Sequence, residues 1–261
     1  MATLPNPLPN LASLGLDLPP GHLIDETDDG PWHEPLLWVT DEQPAPGTRD
    51  ALRDSAPAVG LLPVLVDAGG DVGGPEDWEL MPGEMSYPGD HDADEVLAEL
   101  WYECAADGEE WPGLADAPHA DGTPGTDPEA AASALADAVL EGGGPLKAPR
   151  LALVPARRTA DIPTAIGWAG PANHEGDTAR LSSVLRSWED RFGIRVVALG
   201  FAHLLVSVAA PPRTLAEAEA LAAEHFAFCP DNILQSGGDT TLTAYAEHHL
   251  LNQPSWHFWW D

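Results

Sequence analysis

Residues 177–209 constrain the fold most strongly, because they combine one well-bounded helix with two β-branched segments. Asp177 is a typical N-cap and Gly193 a typical helix terminator, so a helix is predicted between them. The apolar residues of this helix recur at spacings of four, three and four, which places them on one face: Leu181, Leu185, Trp188 and Phe192. Residues 194–199 and 203–209 predict two strands joined by a tight turn. The segment therefore predicts a helix packed against a β-hairpin.

The remaining sequence predicts further strands and helices, separated by long acidic loops. Apolar and β-branched runs predict strands at 36–40, 58–66, 150–155 and 255–260. Cap residues and apolar stripes predict helices at 92–105, 128–141, 214–228 and 240–251. Pro63 indicates that the second of these strands lies at a sheet edge or contains a bulge. We therefore predict the α+β class, with a mixed, mostly antiparallel sheet, helices packed on it and long acidic loops.

Charge is distributed unevenly along the chain, whose formal net charge is −32. Residues 1–150 contain 31 Asp and Glu but only 4 Lys and Arg, whereas residues 151–261 contain 12 and 7. Proline and glycine are also concentrated in the first part, and residues 1–31 are expected to form an irregular leader. We therefore predict an acidic, loop-rich N-terminal part at 1–149 and a compact C-terminal domain at 150–261. The pattern is compatible with two domains and with one continuous globule.

The same composition restricts the classes of partner. A strongly acidic surface repels phosphate backbones and anionic membranes and attracts basic proteins, so we expect neither nucleic acid binding nor membrane binding. The longest apolar run, 196–210, is too short to cross a bilayer. The first residues lack the basic and apolar regions of a signal peptide, and two cysteines cannot form a disulfide framework. We therefore expect a cytoplasmic protein.

Four segments of the C-terminal part resemble one bacterial family. They are 167–170 (GWAG), 185–193 (LRSWEDRFG), 224–232 (EHFAFCPDN) and 256–261 (WHFWWD). In these segments the sequence resembles the family known as domain of unknown function 4253, which is common in actinobacteria. The likeness covers residues 150–261 and does not extend to residues 1–149. Because the family has no established activity, the resemblance implies a shared fold in this region and supplies no catalytic residue.

His225 and Cys229 form the strongest candidate for a catalytic pair. They are four residues apart and so lie on one face of the predicted helix. A histidine beside a cysteine can lower the thiol pKa and produce a nucleophile. The alternative is a buried cysteine in a packed helix end, a common environment for a free cysteine. A zinc site with Glu224 and Asp231 would need three or four converging ligands, whereas helix spacing aligns only His225 and Cys229, so neither a metal nor another cofactor is predicted.

Other side chains near the family segments are candidates for ligand binding. Trp168 could stack on a ligand and Asn173 could hydrogen-bond to it, although the glycines around the tryptophan also indicate a packed turn. Asp231 and Asn232 would bound the same pocket from the other side. The acidic segment 90–95 could bind a cation, but its pattern is more typical of a helix N-terminus.

Basic residues are scarce in this acidic chain, so four of them are considered together: Arg180, Arg186, Arg191 and Arg195. Along a helix such arginines form ion pairs with nearby carboxylates, which predicts a salt-bridged face or a dock for the acidic N-terminal part. An anion site is the other interpretation, and it requires the arginines to converge in a pocket.

Three functions are compatible with these patterns. The first is an acidic protein-binding module, immunity- or antitoxin-like, for a basic partner. The second is a small-molecule enzyme or sensor that uses His225, Cys229 and the Trp168 loop. The third is a structural subunit of a larger assembly. We favour the first because of the charge, and because no catalytic triad or nucleophile elbow indicates an enzyme.

Overall fold

A seven-stranded sheet organises the computed structural model, which describes residues 5–70, 72–106, 108–118, 125–235, 237 and 241–261. The strands are β1 Gly21–Ile24, β2 Leu37–Thr40, β3 Leu61–Asp67, β4 Pro149–Pro155, β5 Arg195–Leu199, β6 His203–Ser207 and β7 Ser255–Trp259. Their order is β1-β2-β4-β3-β5-β6-β7. The β3–β5 pair is parallel and every other neighbouring pair is antiparallel. The predicted α+β class with a mixed, mostly antiparallel sheet is confirmed.

Helices cover both faces of this sheet. They are α1 Thr48–Leu52, α2 Ser55–Ala58, α3 Ala93–Cys104, α4 Pro128–Leu140, α5 Ile162–Ala165, α6 Thr178–Phe192, α7 Leu215–Phe228, α8 Asp231–Leu234 and α9 Leu242–Tyr245, which continues into a π-helical turn, Ala246–Leu250. Short 3-10 turns lie at Leu8–Ser13, Pro75–Asp77, Pro88–Asp90 and Thr159–Asp161. Helices α3, α6 and α7 share one apolar core, whereas α1, α2 and α4 share the core on the opposite face.

The predicted helix and hairpin at 177–209 are confirmed. The Asp177 side chain accepts a hydrogen bond from the amide of Ala179 at 3.0 Å, and Gly193 ends α6 in the left-handed conformation. The predicted apolar stripe is buried, and the Trp188 ring stacks on Phe258 of β7 with centroids 5.6 Å apart. The carboxyl-terminal strand is thereby fixed to the core by α6.

The acidic segment 90–95 caps helix α3. The Asp92 carboxylate accepts hydrogen bonds from the amides of Asp94 and Glu95 at 2.9 and 3.2 Å. This geometry satisfies amide groups that have no partner within the helix. The helix N-terminus interpretation therefore explains the segment.

Two elements differ from prediction, and part of one predicted loop is not described. The segment 1–31, which was expected to be an irregular leader, contains strand β1. The first three residues of β1 are exposed, so the strand has no alternation of buried and exposed positions. The expected helix at 240–251 divides into α9 and the π-helical turn, and Thr240 lies outside the described residues. Of the acidic loop at 106–127, residues 107 and 119–124 also lie outside them.

Pro63 lies within an interior strand, which corrects the expectation of an edge strand or bulge. β3 is placed between β4 and β5, but its ladder with β5 contains only Leu65 and Val66. Pro63 pairs with Leu153 of β4 on the other side. Because the β3–β5 ladder does not include Pro63, the missing amide donor interrupts no pairing with β5. The space beside Pro63 becomes part of a cleft described below.

Strands from the two parts of the sequence are interleaved in the sheet, because β4 lies between β2 and β3. β2 and β3 come from residues 1–149, and both pair with β4. β3 also pairs with β5. Ion pairs cross between the parts as well, since Arg180 binds Glu99 at 2.7 Å and Arg195 binds Glu129 at 2.6 Å. Two of the arginines therefore do hold acidic residues of the N-terminal part, as one interpretation of the sequence expected.

Within the described ranges, no helix is both long enough and apolar enough to cross a bilayer.

Candidate functional site

His225 and Cys229 both lie in the apolar core. The His225 Nδ1 atom is 3.1 Å from the hydroxyl oxygen of Tyr245, and the imidazole is enclosed by the rings of Trp188, Trp256 and Phe258. In the described part of the chain, Nε2 of this buried ring has no hydrogen-bond partner. The imidazole is thus oriented by Tyr245 and by aromatic packing.

Burial opposes ionisation of both side chains. It lowers the pKa of His225 well below its usual value and raises the pKa of the Cys229 thiol to about 12. Near neutral pH the imidazole is therefore uncharged and the sulfur carries its proton. This state differs from the thiolate–imidazolium pair of an activated nucleophile. The Cys229 Sγ atom instead donates to the carbonyl of Trp259 at 3.0 Å.

A zinc site in this region would need ligands beside His225 and Cys229. Glu224 is fully buried and its carboxylate accepts hydrogen bonds from Arg191 and, at 2.7 Å, from Trp188. Across the ranges that the structure covers, no three or more His, Cys, Asp and Glu side chains are grouped as a metal site requires.

Strand β7 has one edge paired with β6 and one edge facing outward. The amide of Trp260 donates to Ala202, and the Pro254 carbonyl accepts from Val208, so even-numbered residues direct their backbone groups toward β6. Alternation along an antiparallel strand then directs the backbone groups of the odd-numbered residues outward: Ser255, His257, Trp259 and Asp261.

Asn232 closes part of this outer edge. Its Nδ2 atom donates to the carbonyl of His257 at 2.7 Å, and its Oδ1 atom accepts from the amide of Trp259 at 3.2 Å. The carboxamide thus occupies the position of a neighbouring strand. The same Nδ2 atom lies 3.2 Å from the Tyr245 hydroxyl, which connects Asn232 to His225.

Three further side chains, those of Cys229, Asp231 and Asn173, close the end of β7. Cys229 binds the Trp259 carbonyl, as described above. The amide of Asp261 donates to the Asp231 carboxylate at 3.0 Å, and Nδ2 of Asn173 donates to the carbonyl of Asp261 at 2.8 Å. The structure therefore brings four of the predicted site residues together along one strand edge: Asn173, Cys229, Asp231 and Asn232. Sequence motifs singled out these four positions but did not indicate that all four contact the same strand edge.

Trp168 is placed at a different position. Its indole nitrogen donates to the carbonyls of Gly200 and Phe201, both at 3.0 Å, in the turn between β5 and β6. The ring is 1% exposed and packs edge-on against Trp260. The contacts of Trp168 thus match the packed turn, which was the alternative to a stacking platform.

The start of the β7 outer edge remains open. No described residue binds the amide or carbonyl of Ser255 or the amide of His257. These groups lie at a cleft of about 330 Å³, a volume in the range of ligand pockets. The cleft is lined by Asn232, Tyr245, His248, His249, Gln253, Ser255, Trp256, His257 and Trp259. Of the predicted site residues, only Asn232 lines it.

The opposite wall of this cleft is the π-helical turn Ala246–Leu250. π-Helical segments occur frequently at functional sites. The turn carries His248 and His249, both exposed, and the ring of His249 stacks on Tyr245 at a centroid distance of 5.0 Å. Sequence reasoning missed these residues because it predicted a regular helix here.

A second histidine pair lies on the sheet beside the cleft. The Nδ1 atom of His203 is 3.1 Å from Nε2 of His257, and the two rings stack. Burial, together with the neighbouring His203, lowers the pKa of His257 to about 4, and burial also lowers the pKa of His203. Both rings are therefore neutral at pH 7. The cleft offers neutral donors and acceptors from the His257 ring, Asn232 and the open strand edge.

Comparison with known proteins identifies one family, and its match covers the region that contains this cleft. No curated protein and no solved structure matches the chain. Residues 150–261 match the family described as Domain of unknown function (DUF4253), which confirms the resemblance seen in the sequence and places every lining residue of the cleft inside the matched region.

Proposed function

We propose that the protein is a binding module that captures an extended segment of a basic partner protein along the open edge of β7. This proposal rests on the difference between the closed end and the open end of that edge. Side chains occupy its hydrogen-bonding groups from the His257 carbonyl onward, whereas the groups at Ser255 and the His257 amide face a cleft. Unpaired amide and carbonyl groups at a strand edge are a template for pairing with another chain.

An extended peptide is the ligand whose chemistry fits such an edge. Strand addition uses backbone hydrogen bonds for affinity and side-chain pockets for specificity. The open groups can form three backbone hydrogen bonds, each contributing about 1 kcal/mol net. The aromatic and histidine side chains of the cleft would contact the peptide side chains. Because the stretch is short, affinity must also come from charge.

The charge of the chain supports a basic partner. A net charge of −32 produces a field that speeds and orients association with a positively charged protein. Ten of the eleven basic residues are arginines, and several of these are already bound to internal carboxylates, including Arg180, Arg191 and Arg195. An immunity- or antitoxin-like role would use this combination of charge and strand edge.

The alternative of an enzyme or sensor based on His225 and Cys229 has less support. Both side chains are fully buried, and neither lines the cleft. Native-state thiol labelling tests this alternative in a Cys104→Ala variant, where Cys229 is the only thiol. Labelling near neutral pH that slows when His225 is also replaced would favour the enzyme.

A peptide titration tests the main proposal. The probe is a capped pentapeptide of alternating lysine and valine, and its control has the same sequence with N-methylated valines, which removes backbone donors but keeps the charge. In ¹⁵N NMR spectra, the amide signals of Ser255 and His257 should shift with the first peptide and much less with the second. The variant Ser255→Pro, which removes one outward amide at an edge position that tolerates proline, should weaken binding.

Two outcomes of this titration would contradict the proposal. Equal binding of both peptides would mean that charge alone attracts them and that the strand edge is not the site. NMR signal shifts confined to other parts of the protein would also mean that the strand edge is not the binding site.

A further inference from the structure

A second cleft concentrates positive charge in this acidic protein. Its volume is about 510 Å³, and five of the ten arginines in the chain line it: Arg49, Arg53, Arg157, Arg158 and Arg195. Three carboxylates also line the cleft, those of Glu129, Glu189 and Asp190. Positive groups therefore exceed negative groups in the lining by two, although the chain as a whole has a net charge of −32.

The fold explains why the arginines meet here. Leu62 and Pro63 lie at the start of β3, before its ladder with β5 begins, and Arg195 is the first residue of β5. Helices α1 and α2 and the turn after β4 surround this gap. Because the arginines come from three distant parts of the chain, no sequence spacing predicted their convergence.

The carboxylates hold three of the guanidinium groups in place. Arg158 binds Glu189 and Asp190, each at 2.6 Å. Arg195 binds Glu129 at 2.6 Å. Arg49 also binds Glu129, at 3.2 Å, so Arg53 and Arg157 are the groups most available to a ligand.

Arg53, Arg157 and one atom of Arg49 have unused hydrogen-bonding capacity. The Arg49 side chain is only 2% exposed, and its Nε atom has no hydrogen-bond partner among the described residues. Arg157 is exposed and forms no ion pair within the described ranges. Arg53 lies 3.7 Å or more from its carboxylate neighbours Asp50, Asp54 and Asp127.

We infer that this cleft binds a phosphorylated small molecule. Guanidinium groups match phosphate oxygens in geometry and form charge-assisted hydrogen bonds with them, and a dianion would balance the two excess positive charges of the lining. Arg53 and Arg157 contact the phosphate, and the unpartnered Nε atom of Arg49 offers it a further donor. The uncharged part of the ligand packs on Pro57, Leu62 and Pro63. A nucleic acid is a poor fit, because its many phosphates would meet the surrounding acidic surface.

Calorimetric titration with phenyl phosphate tests this inference, with benzoate as the monoanionic comparison. We expect saturable 1:1 binding of phenyl phosphate and weaker binding of benzoate. Arg157→Gln should reduce the affinity by about tenfold or more, since it removes charge-assisted hydrogen bonds. Arg53→Gln should act in the same direction. The Arg53 side chain is partly exposed and Arg157 is exposed, so the variants should fold.

Arg213→Gln is the matched control, because it removes one exposed arginine outside the cleft. The affinity of this variant for phenyl phosphate should equal that of the natural protein. The inference would be overturned by the absence of saturable binding, or by an equal loss of affinity in the Arg157 and Arg213 variants. None of these residues lines the β7 cleft, so the result is independent of the peptide titration.

Discussion

At the scale of single residues, Asn232 has the largest structural role among the predicted site residues. One carboxamide satisfies the carbonyl of His257 and the amide of Trp259 and also contacts Tyr245. The side chain is 7% exposed, so water cannot easily replace it. A buried backbone group without a partner is costly, and this makes Asn232 a sensitive position.

Replacement of Asn232 by alanine should therefore destabilise the protein. Loss of the two edge hydrogen bonds is expected to lower the free energy of unfolding by about 2 kcal/mol or more. Asn173→Ala is the matched control, because its single bond to Asp261 is exposed and should contribute below about 1 kcal/mol. Urea denaturation of both variants provides the measurement. Equal effects would show that Asn232 does not act as a strand substitute.

The histidines predict a loss of stability in mild acid. The folded protein holds the pKa of His257 at about 4, below the unfolded value near 6.5, so folding favours the neutral ring. Its contribution is fully present above pH 6.5 and is lost as the pH falls toward 4, by about 3 kcal/mol at most. His225, whose pKa is also lowered, acts in the same direction.

Denaturation curves of the natural protein and His257→Gln, measured between pH 7 and 4, test this effect. The glutamine cannot take up a proton, so the stability of the variant should change less over this range. A pH dependence as steep as that of the natural protein would show that His257 does not contribute.

At the scale of secondary structure elements, α6 is the element most completely specified by its own sequence. Asp177, the apolar stripe and Gly193 are all local signals, and each has its predicted role. Strand β1 could not be predicted, because pairing with β2 rather than its own pattern stabilises it. The π-helical turn likewise depends on packing around Tyr245 and His249.

Gly193 offers a direct test of this local specification. Its φ of +62° disfavours a side chain, and an added Cβ would lie 3.1 Å from that of Ala209. Gly193→Ala should therefore cost about 1 kcal/mol of unfolding free energy or more. Gly176→Ala is the control, since φ there is ordinary and no atom lies within 4 Å of the added carbon. A Gly193 variant as stable as the Gly176 variant would contradict the assignment.

At the scale of the whole molecule, the site depends on contacts that sequence spacing does not encode. Residues 173, 229, 231 and 232 were singled out from short motifs, but their shared target, the edge of β7, is set by the strand order. The arginine cleft similarly combines residues that are far apart in sequence. Charge asymmetry, in contrast, could be counted directly, although it gives no position for a partner.

The interleaved strands predict that the family-matched region needs the N-terminal part in order to fold. A fragment of residues 150–261 would lack β3, which leaves β4 and β5 without their shared neighbour. We propose that the two parts form one folding unit and expect the isolated fragment to show a poorly dispersed NMR spectrum. A cooperative unfolding transition in the fragment would show instead that it is an independent domain.

Side chains close one end of the β7 outer edge and leave the other end open. Amide hydrogen exchange of the free protein tests this difference most directly. Trp256 and Phe258, whose amides face β6, and Trp259, whose amide binds Asn232, should exchange slowly, whereas Ser255 and His257 should exchange much faster. Protection of Ser255 and His257 equal to that of Trp259 would mean that this edge is already occupied, and the proposed peptide site would be wrong.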